Sequence, residues 1–176
     1  MMARNADGRV QVYTGDGKGK TTAAIGLSVR AAGHDRRTYI GQFMKGQTYG
    51  ELAALQHLPQ VTVEQYGDPR CIRKEEVTEK HIFDAASGLE RARKAMLSGE
   101  YDLIVLDEVN VALWFGLLTE EAVLRFIDER PPELELVLTG RRAPNTILDR
   151  ADLITEMLEV KHYYADGLLA RKGIEF

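Results

Sequence analysis

Val10 to Thr22 of the 176-residue chain reads VQVYTGDGKGKTT, a β-prone run that breaks into glycines and lysines and then enters an alanine-rich helical run. A strand, a glycine loop and a helix in that order make a cradle for phosphate. The small residues let the backbone turn tightly and present N–H groups, and the helix start favours an anion. Gly15, Gly17 and Gly19 permit the turn, Lys20 supplies a point charge, and Thr21 supplies a hydroxyl for a magnesium ion. The usual form, G-x-x-x-x-G-K-[ST], needs a glycine at Thr14; the first glycine here is Gly15, so the loop is one residue short. The shortening argues more against routine ATP hydrolysis than against triphosphate binding. An ordinary glycine-rich turn carrying a surface lysine is the plain alternative.

Outward from the loop, Val10–Thr14 is a buried strand and Lys20–Ala32 a helix of small residues that can pack closely on a sheet, with Gly33 at its C-cap. Arg30 lies roughly 15 Å along that helix from Lys20, at about 1.5 Å of rise per residue, and on these grounds alone is a solvated arginine. Arg37–Phe43 suits a second strand, and Gln42, Phe43 and Lys45 stand at its carboxyl end, where ligands of open parallel sheets collect. Phe43 fits the core equally well. Glu51–Leu58 reads as a helix and Val61–Tyr66 as a strand. Thr78 caps a helix to about Leu97 whose apolar face runs through Ile82, Ala85, Ala86, Leu89, Ala92, Arg93 and Met96.

Tyr101–Leu106, YDLIVL, is the most apolar strand and ends in Asp107-Glu108. An acidic pair there, in a chain with a phosphate loop, has the form of a Walker B site: one carboxylate near magnesium, the other beside phosphates or substrate. The plain alternative is that both cap the following turn. Trp114 and Phe115 read as core or interface residues, with the lining of a pocket as the alternative. Thr119 starts a helix, Leu134–Leu138 is a strand, and Gly140-Arg141-Arg142 follows it, bringing a second cation towards the phosphates. By chemistry alone either arginine serves. Asn145–Ala151 forms a short helix and Leu153–Val160 an edge or late strand. Strands and helices alternating in this way predict an α/β fold, a mostly parallel sheet with helices on both faces.

Composition narrows the function further. At 44% hydrophobic the chain supports one domain, residues 10–176, after a polar, mobile leader over residues 1–9. With 27 acidic and 23 basic residues and no basic tail, nucleic acid is a poor partner. The single cysteine, Cys71, permits no internal disulfide. No apolar stretch reaches membrane-spanning length and no signal-peptide core follows the start, so the expected compartment is the cytoplasm.

These motifs together resemble the ATP:corrinoid adenosyltransferases of the CobA, CobO and BtuR type, from Val10 to Phe176. The matches are TGDGKGKTTAA, GQFMKG, YGELAAL, LIVLDEVNVALWFGLL, TGRRAPNTILDRADLITEM and VKHYYADGLLARKGIEF, in that order. The resemblance implies a single P-loop, RecA-like domain and a homodimer. It also implies transfer of the 5′-deoxyadenosyl group of ATP to the cobalt of a reduced corrinoid, with release of triphosphate. Cobalt(I) is then the nucleophile, which accounts for the lack of an evident general base.

The same resemblance places Gly15, Asp16, Gly17, Lys18, Gly19, Lys20, Thr21 and Thr22 around the phosphates. It brings Arg30 to the nucleotide, sets Phe43, Met44 and Lys45 beside nucleotide and corrinoid, and makes Arg141 the phosphate arginine. Thr21 and Glu108 hold Mg2+, with Asp107 behind. An electron-donor flavoprotein is the implied partner for reaching cobalt(I). The stretch GDPRCIRKEE departs from the family, with Cys71 near where an aromatic is expected. Two other readings remain compatible with the loop: a small-molecule P-loop kinase or NTPase, and a non-enzymatic, nucleotide-dependent corrinoid carrier.

Overall fold

The structure, a computed structural model, describes residues 7–70 and 72–175. Its elements are β1 (Val10–Thr14), α1 (Lys20–Ala32), β2 (Thr38–Gln42), α2 (Gly50–Leu55), β3 (Val61–Gln65), α3 (Glu79–Leu97), β4 (Leu103–Asp107), α4 (Val109–Trp114), α5 (Glu120–Asp128), β5 (Glu135–Thr139), α6 (Asn145–Leu148) and β6 (Leu153–Glu156). The six strands form one sheet in the order β3-β2-β4-β5-β1-β6, every pair parallel. Strands β2 and β4 are buried at every position, as strands covered on both faces must be. Helices α3, α4 and α5 close one face through Leu89, Met96, Ala112 and Phe126, while α1 and α2 close the other through Ala24 and Leu55 against Ile40, Val105 and Val137.

Most element limits follow the sequence pattern, and the departures have local causes. Helix α2 stops at Leu55 rather than Leu58, where the chain tightens into turns in which the His57 N–H bonds Ala54 O and the Leu58 N–H bonds Leu55 O, ahead of Pro59. Strand β6 stops at Glu156 rather than Val160, because Met157 turns its carbonyl to the phosphate loop and accepts the Gly17 N–H at 2.6 Å. The buried stripe of α3 is Ala85, Gly88, Leu89, Ala92 and Met96; Ile82 and Ala86, expected on it, are exposed. The stripe runs through Gly88 because the Tyr66 ring packs directly on that backbone, where an added Cβ would lie 2.3 Å from Tyr66 Cγ.

Ordered contacts begin before Val10. Gly8 is buried and donates its N–H to Pro132 O at 2.8 Å. Residues 1–6 and Cys71, with the question of its role, lie outside the described residues. Among those described, no helix is long and apolar enough to cross a membrane.

Candidate active site

Three adjacent strands, β2, β4 and β5, end at the same edge of the sheet, and their terminal residues Gln42, Asp107 and Thr139 meet there, joined by Thr21 from α1 and Lys45 beyond β2. The Asp107 carboxylate is 1% exposed and has a donor for each lone-pair direction. Asp107 Oδ1 accepts from Thr21 Oγ1 at 2.8 Å and from Thr139 Oγ1 at 2.7 Å. Asp107 Oδ2 accepts from Lys45 Nζ at 2.9 Å and from Gln42 Nε2 at 3.3 Å. The Thr139 hydroxyl also accepts the backbone N–H of Glu108 at 2.9 Å, which fixes the chain where it leaves β4. There Glu108 takes a left-handed conformation, φ 60°, and this turn directs its side chain into the cleft rather than along the strand.

The cleft has a volume of about 690 Å3, within the range of small-ligand sites. Gly17, Lys18, Gly19, Lys20, Thr21 and Thr22 line one side, with Lys45, Glu108 and Arg141 opposite. Lys20 Nζ donates to Gly15 O at 2.7 Å and Gly17 O at 2.6 Å, so the loop's own carbonyls hold the ammonium. Burial lowers its pKa, and the nearby Glu108 works against that shift. Burial likewise raises the Glu108 pKa, helped by the Asp107 charge, while Lys45, Lys20 and Arg141 pull it down. Burial disfavours the Lys45 ammonium as well, but Asp107 outweighs it and the Lys45 pKa is raised. Three carboxylates, Glu51, Glu108 and Glu175, and four cations, Lys18, Lys20, Lys45 and Arg141, line one cleft, an arrangement suited to a polyanion with a cation of its own.

The chain's last described segment covers the loop. Besides the Gly17–Met157 bond, Lys18 Nζ reaches Glu175 Oε1 at 2.7 Å, Tyr163 Oη at 3.1 Å and Ile174 O at 3.1 Å. His162, Ile174 and Glu175 therefore line the cleft, as do Tyr49 and Glu51 from the start of α2. Gly17 is required at its position because a Cβ there would lie 2.7 Å from Leu158 O. Its N–H serves this cover, whereas the sequence alone predicted that successive loop N–H groups face inward.

Not every expected site residue arrives. Asp16 is exposed and off the cleft lining, and Gly15 contributes through its carbonyl to Lys20. Phe43 is fully buried, edge-on to Tyr66 at 5.1 Å between centroids, so it belongs to the core. Met44 turns left-handed at φ 61° and borders a separate small recess with Tyr66 and Leu117. Arg30 sits at the far end of α1, in another cavity with His34, Arg36, Asp102 and Glu135. Trp114, expected in the core or an interface, is 42% exposed. Sequence reasoning missed Tyr49, Glu51 and the tail residues. Thr139 carried a signal, being the polar residue that ends an apolar strand.

The donors suit magnesium. Thr21 spends its proton on Asp107, which leaves its oxygen lone pairs for a cation, and the carboxylate of Glu108 faces the same cleft. Among the described residues no cluster of three or more His, Cys, Asp or Glu side chains could hold a metal alone. Mg2+ needs no such cluster, since it is bound through one or two protein oxygens plus substrate phosphates.

Comparison with known proteins bears on the fold and on the family. Solved structures similar in fold include a KaiC-like protein, PH0186, from Pyrococcus horikoshii OT3, with TM-score 0.54 and 14% identity over 86% of this chain and 72% of that one. The cytoplasmic domain of the Thermomonospora curvata type VII secretion ATPase EccC gives TM-score 0.52 and 19% identity over 86% of this chain and 20% of that one. At such identities the likeness shows the P-loop fold alone.

Sequence relatives are more specific. A corrinoid adenosyltransferase of Pseudomonas aeruginosa is 35% identical, covering 99% of this chain and 86% of the relative. The corrinoid adenosyltransferase of Escherichia coli K12 is 32% identical and corrinoid adenosyltransferase CobA of Salmonella typhimurium 33%, each covering 99% of this chain and 88% of the relative. A family model described as ATP:corrinoid adenosyltransferase BtuR/CobO/CobP matches residues 6–176. With that match over nearly all its length, the chain belongs to the ATP:corrinoid adenosyltransferase family.

Proposed function

We propose that the protein transfers the 5′-deoxyadenosyl group of ATP to cobalt(I) of a corrinoid and releases triphosphate. The observation that carries this reading is the convergence of Lys20, Thr21, Glu108 and Arg141 on one cleft, in a chain of this family. Cobalt(I) attacks the ribose C5′ with its electron pair, the cobalt–carbon bond forms, and the C5′–O bond breaks. The departing oxygen takes that bond's electrons, so no proton must be removed and the protein needs no general base.

What the chain must do is electrostatic and geometric. Lys20 and Arg141 face the phosphates and neutralise charge on the leaving triphosphate. Thr21 and Glu108 are the residues that would hold Mg2+, which when bound would supply further positive charge to offset the leaving triphosphate. Asp107 keeps the Thr21 hydroxyl and the Lys45 ammonium in place. The tail over Gly17 and Lys18 shields the loop side of the site from water.

The remaining assignments accompany this reading. The protein acts in the cytoplasm, in corrinoid biosynthesis or salvage, as a homodimer supplied with electrons by a flavoprotein. The test is direct: chemically reduced corrinoid plus MgATP should yield an adenosylated corrinoid and intact triphosphate. Formation of ADP without a cobalt–carbon bond would overturn the proposal in favour of a kinase or NTPase.

A further inference from the structure

Arg141 enters the cleft from the turn after β5, and it is exposed, so the backbone of that turn decides where its guanidinium sits. The turn is unusual. Gly140 has φ 129° and Arg142, a non-glycine residue, has φ 58°, so the flanking positions are both left-handed. A lone arginine does not hold that conformation without help.

The help comes from one face of α4. Asn110 and Trp114 lie four residues apart and so point the same way. Asn110 Nδ2 donates to Gly140 O at 3.4 Å, and the helix backbone approaches so closely that a Cβ on Gly140 would lie 3.0 Å from Val111 N. At that length the Asn110 bond is a loose hold. Trp114 supplies a second: its ring centroid is 4.4 Å from Arg142 Cζ, and Lys74 Nζ lies 5.3 Å from the same ring. Trp114 remains 42% exposed, so this stacking, not filling of the core, accounts for the indole. The other end of α4 is Glu108, its N-cap, so one short helix spans the carboxylate and the turn that carries the arginine.

We propose that Trp114 is a positioning residue for Arg141: by stacking on Arg142 it holds the Gly140–Arg142 turn in the strained form that presents Arg141 to phosphate. This rests on the reading of the cleft as a triphosphate site.

The experiment is calorimetric titration of the full chain with magnesium triphosphate and, separately, MgATP. The W114A variant should bind triphosphate about 2–5-fold more weakly, the range that an exposed cation–π contact supports. W114F, which keeps an aromatic face, should recover most of that affinity. R142M, which keeps bulk and loses the cation, should reproduce W114A with Trp114 intact. The double variant W114A/R141A should bind no more weakly than R141A, because the indole acts only through that arginine. Unchanged triphosphate affinity in folded W114A and R142M overturns the proposal, and so does a loss in W114A that adds in full to that of R141A. A wild-type chain that binds no triphosphate defeats the cleft reading itself, and the proposal with it.

Discussion

Thr21 Oγ1 donates to Asp107 Oδ1 at 2.8 Å, so the first hydroxyl of the helix after the phosphate loop is aimed by a carboxylate two strands away in the sheet. The bond fixes which way the threonine oxygen presents its free lone pairs. Thr21→Val keeps the shape and removes the oxygen, while Thr139, Gln42 and Lys45 still serve Asp107. Stability should fall by about 0.5–1.5 kcal/mol, and magnesium-dependent ATP affinity by about 10-fold or more. Thermal melting and titration with MgATP separate the two effects; wild-type MgATP affinity in T21V would exclude a metal role for the hydroxyl.

Asp107→Asn should harm the fold more than any change at Glu108. It takes from the part-buried Lys45 ammonium its nearer carboxylate, leaving Glu51 at 3.8 Å, and spoils two hydroxyl contacts, so stability should fall by about 2–4 kcal/mol, below or at the lower end of the cost of breaking a fully buried pair. A denaturant midpoint within error of wild type would show that the carboxylate cluster is not structural.

Glu108 behaves in the opposite sense. Its pKa is raised in the folded chain, so folding favours its protonated form. The favourable contribution is complete below the ordinary glutamate pKa and is lost as pH rises through the raised value. Glu108→Gln mimics the protonated group, and the variant should therefore melt higher than wild type at pH 8 yet equal it near pH 4. Magnesium-dependent turnover should fall at the same time. Equal melting at both pH values would remove the case for a strained carboxylate.

Lys20→Ala removes the ammonium that Gly15 O and Gly17 O hold beside the cleft. A charge-assisted contact made in a partly dry site is worth several-fold more than one in water, and ATP affinity should drop by about 10²-fold or more. Titration with ATP and with adenosine localises the loss: adenosine binding should change little, and an equal loss for both ligands would place Lys20 outside the phosphate subsite.

The cover over the loop should resist acid. Arg171 first, then Lys18 and Tyr163, hold the Glu175 carboxylate well below the usual range, so its contribution persists until pH falls through that depressed value. Amides of residues 157–175 should stay protected from hydrogen exchange at pH 4.5, where a free glutamate is partly protonated. Lys18→Met and Glu175→Gln should each raise their exchange rate at neutral pH. Exchange equal in all three proteins would mean that Lys18 does not fasten the tail.

Much of this was legible in the residues themselves. The glycine loop, the apolar YDLIVL strand and its acidic end placed β1, α1 and β4 correctly, because a strand buried on both faces must be continuously apolar and a phosphate loop must start a helix. Thr21, Lys20 and Glu108 were recoverable as helix-start or strand-end residues facing the cleft, whereas strand-end chemistry left Arg141 and Arg142 open and only the family resemblance chose Arg141. Phe43 was not, since a strand exit alternates sides and nothing local says which side Tyr66 will fill. Nor were Tyr49 and His162: they reach the cleft only through the packing of α2 and the return of the tail. The Trp114–Arg142 stack joins a helix to a turn across two elements, and no periodicity within either one announces it.

The position of β1 has a consequence for synthesis. It lies between β5 and β6, the last strands made, and Val10 N–H bonds to Asp152 Oδ2 across 142 residues. A growing chain therefore makes β1 and its nucleotide loop long before the two strands that flank β1, so loop closure across well over a hundred residues precedes any stable site. Ribosome-bound fragments that stop short of Glu156 should be unable to hold ATP. Nucleotide affinity then reports that both strands flanking β1 have been made and paired.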